Sequence, residues 1–144
     1  MTSSTFPPIF DGHNDVLSLQ MKAGEGARKG FTKGYDAHID VPKSRISGIG
    51  GGCFAIYIPS PGDFDKYYEM MRQPEYDLPL PAPISQADAK PIMLAQADIM
   101  RQLEAEGALK VCTTTAEIRE CLNTGLMAAL MHIEGAEGIY TELD

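Results

Sequence analysis

The sequence predicts an α/β protein built on a parallel sheet, and three observations carry that prediction. Cys53-Phe54-Ala55-Ile56-Tyr57-Ile58 and Leu126-Met127-Ala128-Ala129-Leu130-Met131 are short and almost continuously apolar. That is how strands buried on both faces of a parallel sheet read. Segments with helical spacing alternate with the strand candidates, as in βα units. Two carboxylates, Asp15 and Glu134, fall at the ends of strand candidates, where parallel α/β folds collect their chemistry.

The first strand candidate leads through Ile9 and Phe10 into Asp11-Gly12-His13-Asn14-Asp15. Val16, Leu17 and Met21 then share roughly one helical face, so a short helix is expected. The stretch from Gly24 to Gly34 mixes glycines with lysines and is expected to be a mobile surface loop. Asp40 is placed to cap a short helix with Pro42 in its first turn. Gly50-Gly51-Gly52 read as a tight turn before the strand that runs to Pro59. They are not a phosphate loop, because they precede a strand and no Gly-Lys-Ser/Thr follows.

From Ser60 to Pro83 the chain is expected to be irregular and proline-rich, with a helical turn or two around Phe64, Tyr67, Tyr68 and Met71. Ile92, Ile99 and Leu103 make a helical stripe widened by Met93 and Met100, with Pro91 expected in the first turn and Gly107 at the end. A short strand is expected over Ala108–Cys112. Thr114-x-x-Glu117 then reads as a capping box opening another helix, closed by Asn123-Thr124-Gly125. Residues 1–8 read as a disordered lead-in and residues 1–144 as a single domain.

Composition narrows the function classes. The 144 residues are 44% hydrophobic and 22% charged, which suits a globular domain with a real core. A net charge of −8 argues against nucleic acid and anionic membrane surfaces as partners, since both demand a basic patch. No apolar run approaches the ~20 residues that span a bilayer, and the N-terminus lacks the features of a signal peptide. Cys53, Cys112 and Cys121 are odd in number and show no C-x-x-C spacing. A disulfide framework or thiolate zinc site is therefore not expected, and a reducing, cytoplasmic home fits best.

His13 and Asp15 stand one residue apart, so on an extended strand both would point to one face. An imidazole beside a carboxylate is a start to a divalent-metal site. Taken alone, His-x-Asp is more often an ordinary hydrogen-bonded pair. Gly12 is expected to keep the backbone small where a ligand comes close. Glu134, at the tip of the last strand and followed by Gly135, adds a third metal-ligand candidate. His38 reads as a loop histidine. His132 shares the face of Glu134 but lies deeper, and is expected to be a packed, hydrogen-bonded side chain.

The blocks Asp11-Gly12-His13-Asn14-Asp15, Asp40-Val41-Pro42 through Gly50-Gly51-Gly52, the following strand to Tyr57, and Ile133-Glu134-Gly135 together resemble the membrane (renal) dipeptidase family, metallopeptidase M19. The resemblance covers almost the whole chain. It implies the N-terminal part of a (β/α)8 metal-dependent hydrolase barrel, incomplete in this chain, since such barrels take about 250 residues. It implies two zinc ions per complete site, with His13 and Asp15 on one and Glu134 bridging both as the catalytic carboxylate. A metal-bridging water would then attack a dipeptide substrate. The family's later zinc-binding histidines and substrate-holding residues lie beyond Asp144. Three readings stay open: a piece of a dipeptidase competent only with the missing half, a short inactive module that binds metal or oligomerises, and a different metal hydrolase of the barrel class. A second copy or a complementing chain is expected to cover the open sheet.

Overall fold

In the computed structural model, which describes residues 7–62 and 64–142, four parallel strands alternate with six helices. The elements are β1 (Ile9–Asn14), α1 (Val16–Ala23), α2 (Glu25–Lys33), α3 (Val41–Ser47), β2 (Ile49–Tyr57), α4 (Phe64–Met71), α5 (Gln86–Ala105), β3 (Leu109–Val111), α6 (Thr115–Thr124) and β4 (Met127–Glu134). The spatial order is β1-β2-β4-β3. All but two residues of the expected lead-in lie outside the described residues.

β2 is the central strand, and its glycines are part of it rather than a turn before it. The reason is close approach. A Cβ at Gly51 would stand 2.5 Å from the Ala128 carbonyl oxygen of β4, and one at Gly52 would stand 3.0 Å from Asp11 of β1. The sheet can close around β2 only if these side chains are absent. β3 pairs with β4 only over Met127–Ala129. Beyond Ala129 that edge of β4 meets no strand among the described residues, and Met131 and Ile133 are exposed.

The core lies between the sheet and helices α1 and α5. Leu17, Phe54, Ile56, Met100, Leu103 and Leu109 are each almost fully buried there. α5 begins earlier than the proline suggests: Ser85 caps it by accepting from Asp88 N, and Pro91 sits inside the helix. Pro91 has no N–H to return to the fourth residue before it, so the cap at Ser85 and the packing of Ile99 and Leu103 sustain the helix.

The stretch expected to be a loop after α1 is the helix α2. Phe31, completely buried, anchors it to the core. Gly30 lets Tyr35 fold back against it, since a Cβ there would stand 2.8 Å from that of Tyr35. Both predicted caps form. Asp40 accepts from Lys43 N at 2.7 Å, and Thr114 and Glu117 bond reciprocally. Burial of Asp40 favours its protonated form, but the N–H groups of Lys43 and Tyr35 and the Lys43 ammonium outweigh it. Its pKa is held below the usual carboxylate value.

Cys112 and Cys121, at the far end of β3 and on α6, place their sulfurs 3.8 Å apart in a small buried cluster with Ala128. Burial first, then the neighbouring thiol, pushes Cys112 up to about 11.

Candidate metal centre

The C-terminal end of the sheet is assembled by local irregularity as much as by alternation. β1 pairs regularly with β2 at Asp11↔Gly52 and again at Asn14↔Phe54, so β1 holds one residue more than its partner in between. This is a bulge, and bulges re-aim side chains. Asp11 braces it. Its carboxylate accepts from the Asn14 side chain at 3.1 Å and faces the His13 N–H at 3.5 Å. Asn14 in turn accepts from Val16 N at 3.4 Å.

Asp15 is not in the strand. It is the N-cap residue of α1, with φ −98° and ψ 23° and no side-chain cap bond. That bridge-region backbone is where many active-site residues sit. It leaves the carboxylate free to turn toward the site. The simple strand alternation expected for His13 and Asp15 is thus replaced by a bulge followed by a helix start.

Glu134 arrives from β4. Its Cα lies opposite that of Tyr57, the last residue of β2. Buried Gln96 of α5 fixes that end. Its side-chain amide donates to the Tyr57 carbonyl at 2.6 Å and accepts from the Tyr57 N–H at 3.0 Å. After Glu134 the chain turns at Gly135, whose φ of 87° favours glycine.

His13 Nε2 stands 3.6 Å from a Glu134 carboxylate oxygen and 3.8 Å from one of Asp15. One donor atom from each of the three lies within 4.8 Å of the others. Zinc ligands at about 2.0–2.2 Å in a tetrahedron stand about 3.3–3.6 Å from one another. The donor set, one imidazole and two carboxylates, is of the type zinc accepts, and its two closest separations, 3.6 and 3.8 Å, are near that spacing. All three side chains are about half exposed, so the cluster opens to solvent.

The other histidines stay outside the cluster. His38 is exposed and lines a separate cavity of about 140 Å³ that Asp15 also borders. His132 is exposed, not packed as expected, with its ring edge-on to that of His13 at 5.8 Å between centroids. The second half of β4 is the exposed half of the strand, so a residue two positions below the tip is still at the surface. Gly12 is not needed for packing, because a Cβ there meets no atom within 4 Å.

Asp11, Asn14 and Gln96 escaped the sequence reading as site residues. Gln96 left a trace, since it is a polar residue on the apolar stripe between Ile92 and Ile99. Asp11 and Asn14 left none beyond their place in the motif.

A parallel α/β sheet with an imidazole and two carboxylates gathered at the C-terminal ends of its strands makes this an α/β protein with a candidate metal site. A sequence profile described as Membrane dipeptidase (Peptidase family M19) matches residues 4–144, and the chain belongs to that family. It superposes with a TM-score of 0.87 and 41% identity on a metallo peptidase from Rhodobacter sphaeroides, solved liganded with a phosphinate mimic of the dipeptide L-Ala-D-Ala. It superposes with a TM-score of 0.86 and 41% identity on a metallo peptidase of family M19 described as dipeptidase AC. Each comparison covers 95% of this chain, but only 40% and 39% of the respective solved chain. The fold is therefore that of the N-terminal part of these structures. An uncharacterised Acinetobacter calcoaceticus protein, from the 3′ region of PQQ-III, is 28% identical over 142 residues, covering 95% of this chain and 43% of its own length.

Proposed function

We propose that this chain carries the N-terminal metal-ligating part of a zinc-dependent dipeptidase. The observation that carries the proposal is the convergence of His13, Asp15 and Glu134, from opposite ends of the sequence, within 4.8 Å at the strand ends. The 41%-identical relative with a dipeptide mimic supports the substrate class. A phosphinate is tetrahedral at phosphorus, the shape a peptide carbon takes under attack by water.

In this reading His13 and Asp15 would hold one zinc, and Glu134 would be shared with the second zinc of a complete two-zinc site. Bound zinc supplies Lewis-acid polarisation and acidifies water at neutral pH. Asp11 and Asn14 hold the bulge that aims His13. Gln96 holds the end of β2, and through the strand pairing the height of Glu134. The half-exposed cluster admits a dipeptide and water together. Further ligands and the groups that anchor the substrate come from chain outside these residues, within a (β/α)8 barrel. Free thiols at Cys53, Cys112 and Cys121 suit a reducing, cytoplasmic setting. No helix among the described residues is long and apolar enough to cross a membrane.

The test is elemental analysis and dipeptide hydrolysis on the complete polypeptide, these residues together with the remainder of the barrel. About two zinc ions per complete site are expected, with hydrolysis lost on chelation and restored by zinc. Zinc bound at full occupancy without hydrolysis of any dipeptide would overturn the proposal. One observation favours a second reading, a module completed by another chain: the edge of β4 beyond Ala129 is unpaired among the described residues. A defined oligomer in solution with no dipeptidase activity would favour that reading.

A further inference from the structure

We infer that Cys112 and Cys121 form a redox pair that hydrogen peroxide closes into a disulfide, stapling α6 to the end of β3. Their sulfurs are 3.8 Å apart, in contact, with no room for another atom between them. A disulfide needs about 2.05 Å, so the sulfurs must approach by about 1.8 Å. Both residues are almost fully buried, Cys112 at 3% and Cys121 at 1% exposed. Ile118 and Ala128 of this chain pack around them. The pair is therefore assembled by these residues alone, and it does not rest on the dipeptidase reading. Cys53, on β2, lies outside the cluster.

The two thiols differ in access. Cys121 lines a cavity of about 200 Å³ together with Ser44, Arg45 and Gly125, and Cys112 is not among its walls. Hydrogen peroxide is little larger than water, whose share of liquid volume is about 30 Å³, so it fits there. The Cys112 sulfur lies 3.4 Å from the Lys110 carbonyl oxygen. Burial and the neighbouring thiol keep it protonated at neutral pH. Cys121 is thus the sulfur that meets the oxidant, and Cys112 the one that resolves it.

The chemistry balances in two steps. The Cys121 sulfur attacks one peroxide oxygen, the O–O bond breaks, and the other oxygen leaves as water. This gives a sulfenic acid. The Cys112 sulfur then attacks the Cys121 sulfur, and the S–OH bond breaks. The hydroxide leaves with the Cys112 proton as a second water. Two thiols and one peroxide become one disulfide and two waters.

The staple would sit where the strand that carries Glu134 begins. The Cys112 N–H donates to the Ala129 carbonyl of β4 at 2.8 Å, and the Cys121 carbonyl accepts from the N–H groups of Gly125 and Leu126 at 2.9 and 3.1 Å. A bond between the two sulfurs ties both attachments together. It also removes freedom from the unfolded chain, which is the main way a disulfide stabilises.

The experiment treats the folded, reduced, complete polypeptide with hydrogen peroxide and blocks the remaining thiols with iodoacetamide. Tryptic peptides are then mapped by mass spectrometry without reduction. Trypsin cuts after Arg45, Lys66, Lys110 and Arg119, so Cys53, Cys112 and Cys121 fall in three separate peptides. The expected result is a cross-link between the Cys112 and Cys121 peptides that dithiothreitol removes. The oxidised protein should melt a few degrees above the reduced one. In Cys112→Ser, dimedone is expected to trap a sulfenic acid on Cys121. Both thiols left free after peroxide, a cross-link to Cys53 instead, a cross-link that forms only in denaturant, or an unchanged melting midpoint would each overturn the inference.

Discussion

His13 Nε2 and a Glu134 carboxylate oxygen lie 3.6 Å apart, although one belongs to the first strand and the other to the last. β2 lies between their strands, so the contact crosses the full width of that strand at its C-terminal end. Long side chains reaching toward each other over an intervening strand leave a gap that a cation can fill.

The first prediction follows from that gap. Glu134→Ala is expected to reduce zinc content and to lower dipeptide turnover of the complete protein by at least about 100-fold. The same variant is expected to fold normally, because Glu134 is half exposed at the tip of its strand. Zinc analysis beside kcat gives the answer, and near-normal turnover would remove Glu134 from the site.

Gln96 holds both backbone groups of Tyr57 from within the core. Gln96→Leu keeps the volume but strands the Tyr57 N–H and carbonyl. The expected cost is about 1–3 kcal/mol in denaturant melts, the usual range for unsatisfied buried polar groups. Because the same strand end sets the height of Glu134, the variant should also bind zinc more weakly. A stability loss with unchanged zinc affinity would show that Gln96 serves the fold alone.

Acid should loosen both capped helices. The N–H of Thr113 and the hydroxyls of Thr114 and Thr113 bring Glu117 down to about 2. The N–H groups around Asp40 lower it too, against the effect of burial. Both carboxylates have folded pKa values below their unfolded ones. Their contribution is therefore complete above about pH 4.5 and is lost as pH falls through the folded values. Glu117→Gln should flatten the stability profile between about pH 4.5 and 2, and Asp40→Asn should flatten it below the ordinary aspartate value, since the folded pKa of Asp40 lies under that value. Urea melts across that window test both, and an unchanged slope would count against the caps.

Much of this was legible because it is local. The caps at Asp40 and Thr114 are written in three-residue spacings, and the buried strands in continuous apolar runs. The His13-x-Asp15 pair and Glu134 stood out because chemistry-bearing residues fell at strand ends. What was not legible depends on neighbours distant in sequence. α2 is helical because Phe31 finds the core. The glycines of β2 belong to the strand because β1 and β4 press on it. His132 is exposed because only the first half of β4 is covered. No periodicity could report those contacts.

His132 gives a direct check on that correction. Its ring is exposed and touches His13 only edge-on, so His132→Ala is expected to change stability by no more than about 0.5 kcal/mol, as surface substitutions do. A loss above about 2 kcal/mol in thermal or urea melts would mean the side chain is packed in solution after all.

The glycines supply the last prediction, because two of them make opposite demands. A Cβ at Gly51 would stand 2.5 Å from the Ala128 carbonyl oxygen, 2.8 Å from the Ala128 Cβ and 3.0 Å from the Phe10 ring. The first of these is backbone in the neighbouring strand and cannot swing aside. Gly51→Ala is therefore expected to push β2 and β4 apart at a cost of about 1–3 kcal/mol, the usual range for overpacking. Since Glu134 rides on β4, zinc affinity should fall with stability. Gly12, within the motif that holds His13, faces open space. Gly12→Ala should leave stability within about 0.5 kcal/mol of wild type. Urea melts and zinc titrations on the two variants form one experiment. If Gly12→Ala keeps its stability but loses zinc, the missing side chain at that position is reserved for what binds at the site. If it keeps both, Gly12 is dispensable, and the motif reduces to His13, Asp15 and the bulge that aims them.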